Sequence, residues 1–263
     1  MKENLRDMTF IIPIRMDSII RLENLLLTID CIQRHFDTTI VVLEAASYNN
    51  GMIQALTHEV VYQFVEDKDP VFYKTKYLNQ MAKGVVTDLI AIWDVDVIAG
   101  PNQILESVFQ LRKGDYDIAY PYNGEMLDTS MLLRAHYFIH RDIGFLDRHK
   151  NKMKSLYSVE GVIGAVGGAV FAKTAKYIGA GMDNEAFYGW GLEDGERHYR
   201  WLEFGYKIYR HEDCLFHLSH PRDLNGSFRS GRHRDKAMFD FNEIVDYGKG
   251  ELFKKFVVSH SEK

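Results

Sequence analysis

The chain has 263 residues, 46% of them hydrophobic and 26% charged, with a formal net charge of -5 at pH 7. That length and balance predict one compact unit with a substantial core, and the negative charge excludes a protein whose main business is coating nucleic acid, which needs clustered Lys and Arg. Cys31 and Cys214 are the only cysteines and form no CxxC pair, so neither a disulfide framework nor a cysteine zinc site is expected, and a reduced, cytoplasmic setting is.

In chain order, the short apolar run "TFIIPI" (9–14) reads as a strand, and Ile19, Leu22, Leu25, Leu26, Ile29 and Ile32 then recur at helical spacing through residue 35. The run near the start is too short for a secretory leader or a membrane span. "TIVVLE" (39–44) is continuously apolar before its final acid, as suits a strand covered on both faces. A third strand is expected over 60–65, a helix over 74–85, a buried strand ending in acids over 88–97, a helix over 102–113 and a strand over 116–122. Strands alternating with helices imply βαβ units, a mostly parallel sheet flanked by helices, and a ligand at the carboxyl ends of the strands. Residues 123–160 are polar and charged, 161–172 form a Gly-interrupted apolar run expected as a strand, 226–236 are basic and expected to be mobile, and a closing helix or two follows. With no repeat or linker, 1–263 is read as a single domain, 1–122 its nucleotide-binding half and 123–263 its acceptor half.

Several constellations could carry chemistry. Asp94 and Asp96, in "WDVDV", come at the end of an apolar strand, where a carboxylate pair can hold a divalent cation that in turn binds a diphosphate. The pair works only if the strand ends and turns there, since alternate residues face opposite sides, and Gly100-Pro101 is expected to supply that ending. A solvated turn is the plain alternative. His217 and His220, three apart, can face one ion, and imidazole suits Mn, Fe or Zn better than Mg. In "FYGWGLEDGERHYRW" (187–201), Asp194 or Glu193 could be a base placed by rigid neighbours, with Trp190 as an apolar platform for a sugar ring. The same stretch also reads as a solvated helix start with acids in its first turn, and Glu196 and Glu203 are expected to be ordinary helix surface. Pro13 and Arg15 after the first strand, Glu44 closing the second, and Lys74 opening a helix share the strand carboxyl ends, where a cation meets phosphate and a carboxylate accepts from uracil or ribose.

Taken together these pieces resemble the metal-dependent GT-A glycosyltransferases, specifically the β-1,4-galactosyltransferase and N-acetylgalactosaminyltransferase group. The matching segments are "IIPIR", "FYKTKYLN" (72–79), "DVD" (94–96), "AVGGAVFAK", "YGWGLED" (188–194) and His220-Pro221-Arg222-Asp223, in order over most of the chain. The resemblance implies the GT-A nucleotide-diphospho-sugar transferase fold, Mn2+ held by Asp96, His217 and His220, and Asp94 supporting the donor. It implies Asp194 as the catalytic base of an inverting transfer of Gal or GalNAc from a UDP-sugar to a glycan hydroxyl, with Glu193 and Trp190 holding the sugars. Leu192 stands where the group has a glycine, Gly195 where it has an acid and Lys74 where it has an arginine. Ala165 falls where galactose-specific members carry a bulky side chain, which implies room for an N-acetyl group. The acceptor implied is a saccharide or glycan-lipid, and the setting a bacterial cytoplasmic enzyme of polysaccharide synthesis, peripheral to the inner membrane through its basic tail. A nucleotide-sugar hydrolase or nucleotidyltransferase using the same metal, and a silent sugar-binding module of the same fold, are the alternatives.

Overall fold

A computed structural model of the chain describes residues 2–157, 164–221, 224–246, 252 and 255–256. Arg222, Asp223 and residues 161–163 of the Gly-interrupted run lie outside the described residues. The elements in order are β1 (Glu3–Ile14), α1 (Ile19–His35), β2 (Phe36–Ala46), α2 (Met52–Leu56), β3 (Val61–Glu66), α3 (Lys74–Ala82), β4 (Leu89–Trp93), β5 (Val97–Ile98), α4 (Pro101–Lys113) and β6 (Ile118–Tyr120). They continue with β7 (Met126–Asp128), α5 (Met131–His140), α6 (Ile143–Arg148), β8 (Lys154–Tyr157), β9 (Ala169–Lys173), α7 (Thr174–Gly179), α8 (Glu193–Glu203), β10 (Ile208–Arg210), β11 (Leu215–His217) and α9 (Gly231–Asp246).

The large sheet has the order β10-β6-β9-β4-β1-β2-β3. It is parallel except at β9, which runs antiparallel to both β4 and β6. Its central strands are apolar on both faces because helices cover both faces, and Phe10, Ile12, Ile90, Ala91 and Phe171 are fully buried. Trp93 closes this core with its ring centroid 5.4 Å from Phe10 and 5.6 Å from Phe171. α1 starts where the Ser18 side chain accepts the Arg21 amide, leaving Arg34 and His35 at its negative end. It serves two cores: Leu22, Leu25, Ile29 and Ile32 pack on the large sheet, while Leu27 and Cys31 join Phe216, Leu133 and Tyr137 in a second cluster. That cluster lies against a small sheet of order β5-β11-β7-β8.

Three expectations are corrected. The strand over 88–97 is two strands in different sheets: β4 stops at Trp93, whose indole Nε1 donates across the turn to the Val97 carbonyl at 3.1 Å. The chain leaves the sheet before Asp94, so Gly100-Pro101 does not end it but caps α4, with Pro101 in the first turn where a missing amide costs nothing. The run 226–236 is not uniformly loose, because α9 begins at Gly231 and buries Ala237 and Ile244. Among the described residues no helix is long and apolar enough to cross a membrane.

Candidate active site

The turn between the two sheets positions the acids. The Asp94 amide donates to the Gly168 carbonyl at 2.8 Å, prolonging the β4–β9 pairing, and the Leu218 amide donates to the Asp96 carbonyl at 2.7 Å. The second bond ties the end of β11 to the turn and brings His217 and His220 to the Asp96 side chain. His220 Nε2 lies 3.0 Å from Asp96 Oδ2, and His217 Nε2 lies 3.8 Å from Asp96 Oδ1. Each imidazole is oriented from behind: His217 Nδ1 faces Asp128 Oδ1 at 2.8 Å and His220 Nδ1 faces the Pro221 carbonyl at 2.8 Å. Both partners are acceptors, so each Nδ1–H can donate to them, and each Nε2 then carries a proton toward Asp96 when no cation is bound or offers its lone pair to a cation held between them. One ligand atom from each of the three residues lies within 4.8 Å of the others. Bonds of about 2.1 Å to a single ion set donors about 3–4 Å apart, and a set of two nitrogens and an oxygen fits a borderline divalent cation. Burial would raise the Asp96 carboxyl, but the two histidines and Arg21 outweigh it and hold it well below the usual carboxylate range.

Next to this trio stands a second charged group. Lys74, at the start of α3, places Nζ 2.8 Å from Asp94 Oδ1 and 4.0 Å from Asp194 Oδ2. Burial opposes its charge, yet Asp94, Asp194 and Glu193 together keep it protonated. α8 opens with Glu193 and Asp194 from Leu192, a non-glycine residue with φ of 68°. The Gly191 amide donates to Glu193 Oε2 at 2.8 Å, and Arg197, one helical turn on, donates to Asp194 Oδ1 at 2.7 Å. Arg197 is buried and also holds Asp183 at 2.6 Å. The two adjacent acids therefore differ. Burial raises Asp194, but Lys74 and Arg197 overcome it and keep the group below its ordinary value; burial and then the Asp194 charge push Glu193 up to about 7. Asp94 is raised as well, by burial first, with Lys74 opposing the rise and the Asp96 and Asp194 charges adding to it.

These groups face one cavity of about 390 Å³, whose walls include Pro13, Arg21, Lys74, Asp94, Asp96, Ala165, Trp190, Glu193, Asp194, His217 and His220. Trp190 is backed edge-on by Phe228, ring centroids 5.2 Å apart. Gly167 is required by space: a Cβ there would lie 2.3 Å from Asp194 Oδ2. Arg15 and Glu44 are not among the walls. Arg15 is ion-paired with Asp67 and bonded to the Asp69 and Ala45 carbonyls, and the fully buried Glu44 accepts from the Tyr62 hydroxyl at 2.6 Å. Glu196 is not helix surface: it is fully buried and paired with Arg200 at 2.8 Å, because Arg200 is itself drawn inward by the Ala180 and Met182 carbonyls. Glu203 is exposed.

Sequence reasoning missed Arg21, Asp128, Arg197 and Phe228. Arg197 carried a signal, since it sits at i+3 from Asp194 in a helix-like stretch. Asp128 carried none, being 89 residues from the histidine it orients.

No family model matches the sequence, and no curated protein matches it. Solved structures do match. One is a mannosyltransferase from Pyrobaculum calidifontis in complex with GDP-Man and Mn2+, 14% identical with a TM-score of 0.56 over 97% of this chain and 68% of that one. Another is Drosophila β1,4-galactosyltransferase 7, as a mutant with manganese, UDP-Gal and xylobiose, 14% identical with a TM-score of 0.54 over 87% of this chain and 78% of that one. A third is glucosyl-3-phosphoglycerate synthase from Mycobacterium tuberculosis with Mn2+, UDP and glucosyl-3-phosphoglycerate, 12% identical with a TM-score of 0.52 over 96% of this chain and 80% of that one. A mostly parallel sheet flanked by helices, interrupted by one antiparallel strand and ending in this turn, gives the chain the GT-A nucleotide-diphospho-sugar transferase fold.

Proposed function

We propose that the chain is a metal-dependent inverting glycosyltransferase that moves Gal or GalNAc from a UDP-sugar to a saccharide or glycan-lipid hydroxyl. The observation that carries this reading is the meeting, in one cavity, of an ordered Asp96–His217–His220 trio with an ionised Asp194, linked through Lys74 and Asp94. Asp96, His217 and His220 would hold the cation, which when bound offsets charge on a departing diphosphate. Asp194 accepts the proton of the attacking hydroxyl, held ionised by Lys74 and Arg197 so that it is ready at neutral pH. Glu193, about half protonated near pH 7, can donate a hydrogen bond to a sugar as well as accept one. Trp190 offers an apolar ring face to the sugar, and the small Ala165 leaves room for an N-acetyl group. Residues 1–122 supply the nucleotide side and 123–263 the acceptor side and both histidines.

The test is UDP release from UDP-Gal, UDP-GalNAc and UDP-Glc with Mn2+, with and without saccharide acceptors. Acceptor-dependent release is expected, with Asp194→Asn lowering kcat by about 10²–10⁴-fold while donor affinity persists. Release that ignores the acceptor points to a hydrolase, and donor binding without any release points to a silent binding module. Turnover with UDP-Gal but none with UDP-GalNAc contradicts the role given to Ala165.

A further inference from the structure

α5 is amphipathic in an unusual sense, because it is apolar on two sides. Leu133 and Tyr137 pack inward against the small sheet, and Arg134 is buried against α1, donating to Asn24 and Glu23. The opposite side is formed by Met131, Leu132, Ala135, Phe138 and Ile139, residues that share one continuous arc at helical spacing. All are exposed, Leu132 at 80% and Ile139 at 71%. A helix that pays this solvation cost is expected to have an apolar partner for its outer face.

The surroundings of the arc show what kind of partner. The Arg141 guanidinium lies 5.1 Å over the Phe138 ring, at the edge of the apolar face. α6 packs alongside, its Phe145 stacked on His136 with centroids 3.6 Å apart. Residues 140–154 carry five Lys or Arg against two Asp, in a chain whose formal net charge is -5; Arg141, Arg148 and Lys150 are paired with Asp30, Asp142 and Asp147. Lys152 and Lys154 are exposed. An apolar helix face with Arg141 at its edge and the exposed Lys152 and Lys154 just after α6, on an otherwise acidic protein, complements a bilayer with anionic headgroups, where the side chains enter the acyl boundary and the lysines meet phosphate.

We propose that the outer face of α5, with the basic 140–154 segment, is a membrane-docking surface for an anionic bilayer. α5 starts directly beyond Asp128 and Thr129, the residues that brace His217 and the Ser219 amide, so docking there sets the cavity beside the lipid surface, where a lipid-borne acceptor would arrive. Only that purpose rests on the transferase reading.

The test is co-sedimentation of the full chain with vesicles of phosphatidylcholine alone or with phosphatidylglycerol, without donor or acceptor, alongside transfer to a soluble saccharide. Wild type is expected to pellet with the anionic vesicles and to be released by salt. Leu132→Ser/Ile139→Ser and, separately, Lys152→Glu/Lys154→Glu are expected to weaken binding by about tenfold or more, with unchanged circular dichroism and unchanged soluble-acceptor turnover. Phe239→Ser, exposed on α9, is expected to bind as wild type. The proposal is overturned if wild type ignores anionic vesicles, if both α5-region variants bind normally, if only Phe239→Ser loses binding, or if the face proves to be a dimer contact that Leu132→Ser/Ile139→Ser dissolves without affecting vesicle binding. Loss of transfer with vesicle binding intact would instead strike the transferase reading alone.

Discussion

Lys74 and Arg197 hold the Asp194 carboxylate between them, and that charge is part of what pushes its neighbour Glu193 up to about 7. The sign of the pH dependence follows. The folded pKa of Glu193 lies above its unfolded value, so its contribution to stability is complete below about pH 4 and is lost as pH rises through about 7. The gain in melting temperature of Glu193→Gln over wild type is therefore expected to be roughly 5 °C larger at pH 8.5 than at pH 5.5 in metal-free buffer. Equal shifts at both pH values, by calorimetry, would contradict this burial of charge. At this scale the sequence was informative where short motifs grouped acids and histidines: Asp94, Asp96, Glu193, Asp194 and both histidines share one cavity. It was uninformative where a distant partner decides a side chain's fate, as Asp67 does for Arg15 and Tyr62 for Glu44. Leu192 is instructive because the resemblance expects a glycine there. Its φ of 68° lies in the left-handed region that glycine adopts without strain.

At the scale of elements, alternating strand and helix patterns located most of the large sheet, because each buried strand must be apolar and each helix carries a stripe. What they could not reveal was the break at Trp93, since an apolar run looks the same whether it stays in one sheet or passes to the next. Nor could they reveal that β9 enters antiparallel between β4 and β6. That insertion matters for the site, because it brings Gly167 and Gly168 against Asp94 and Asp194. Gly167→Ala is expected to displace the Asp194 carboxylate from the space the new methyl needs. Stability should fall by about 1–3 kcal/mol in urea unfolding, and turnover by at least about tenfold through a misplaced base, with UDP affinity kept. Unchanged turnover in this variant would separate Asp194 from the chemistry.

For the whole molecule, two sheets sharing α1 converge on one cavity at the carboxyl end of β4, the place where open α/β folds bind ligands. Neither half of the chain builds it alone: Asp94 and Asp96 come from one side of residue 122, and Asp194, His217 and His220 from the other. A nucleotide-sugar that bridges them through a cation should bind only the native state and raise its melting temperature. The most direct measurement is the thermal shift produced by UDP-sugars with and without Mn2+, in wild type and in Asp96→Asn. At a ligand concentration about a hundred times Kd, stabilisation should reach about 2.7 kcal/mol in wild type with Mn2+, and be largely lost without the ion or in the variant. A melt that no UDP-sugar moves with manganese present, or one that Asp96→Asn leaves equally responsive, would contradict the account.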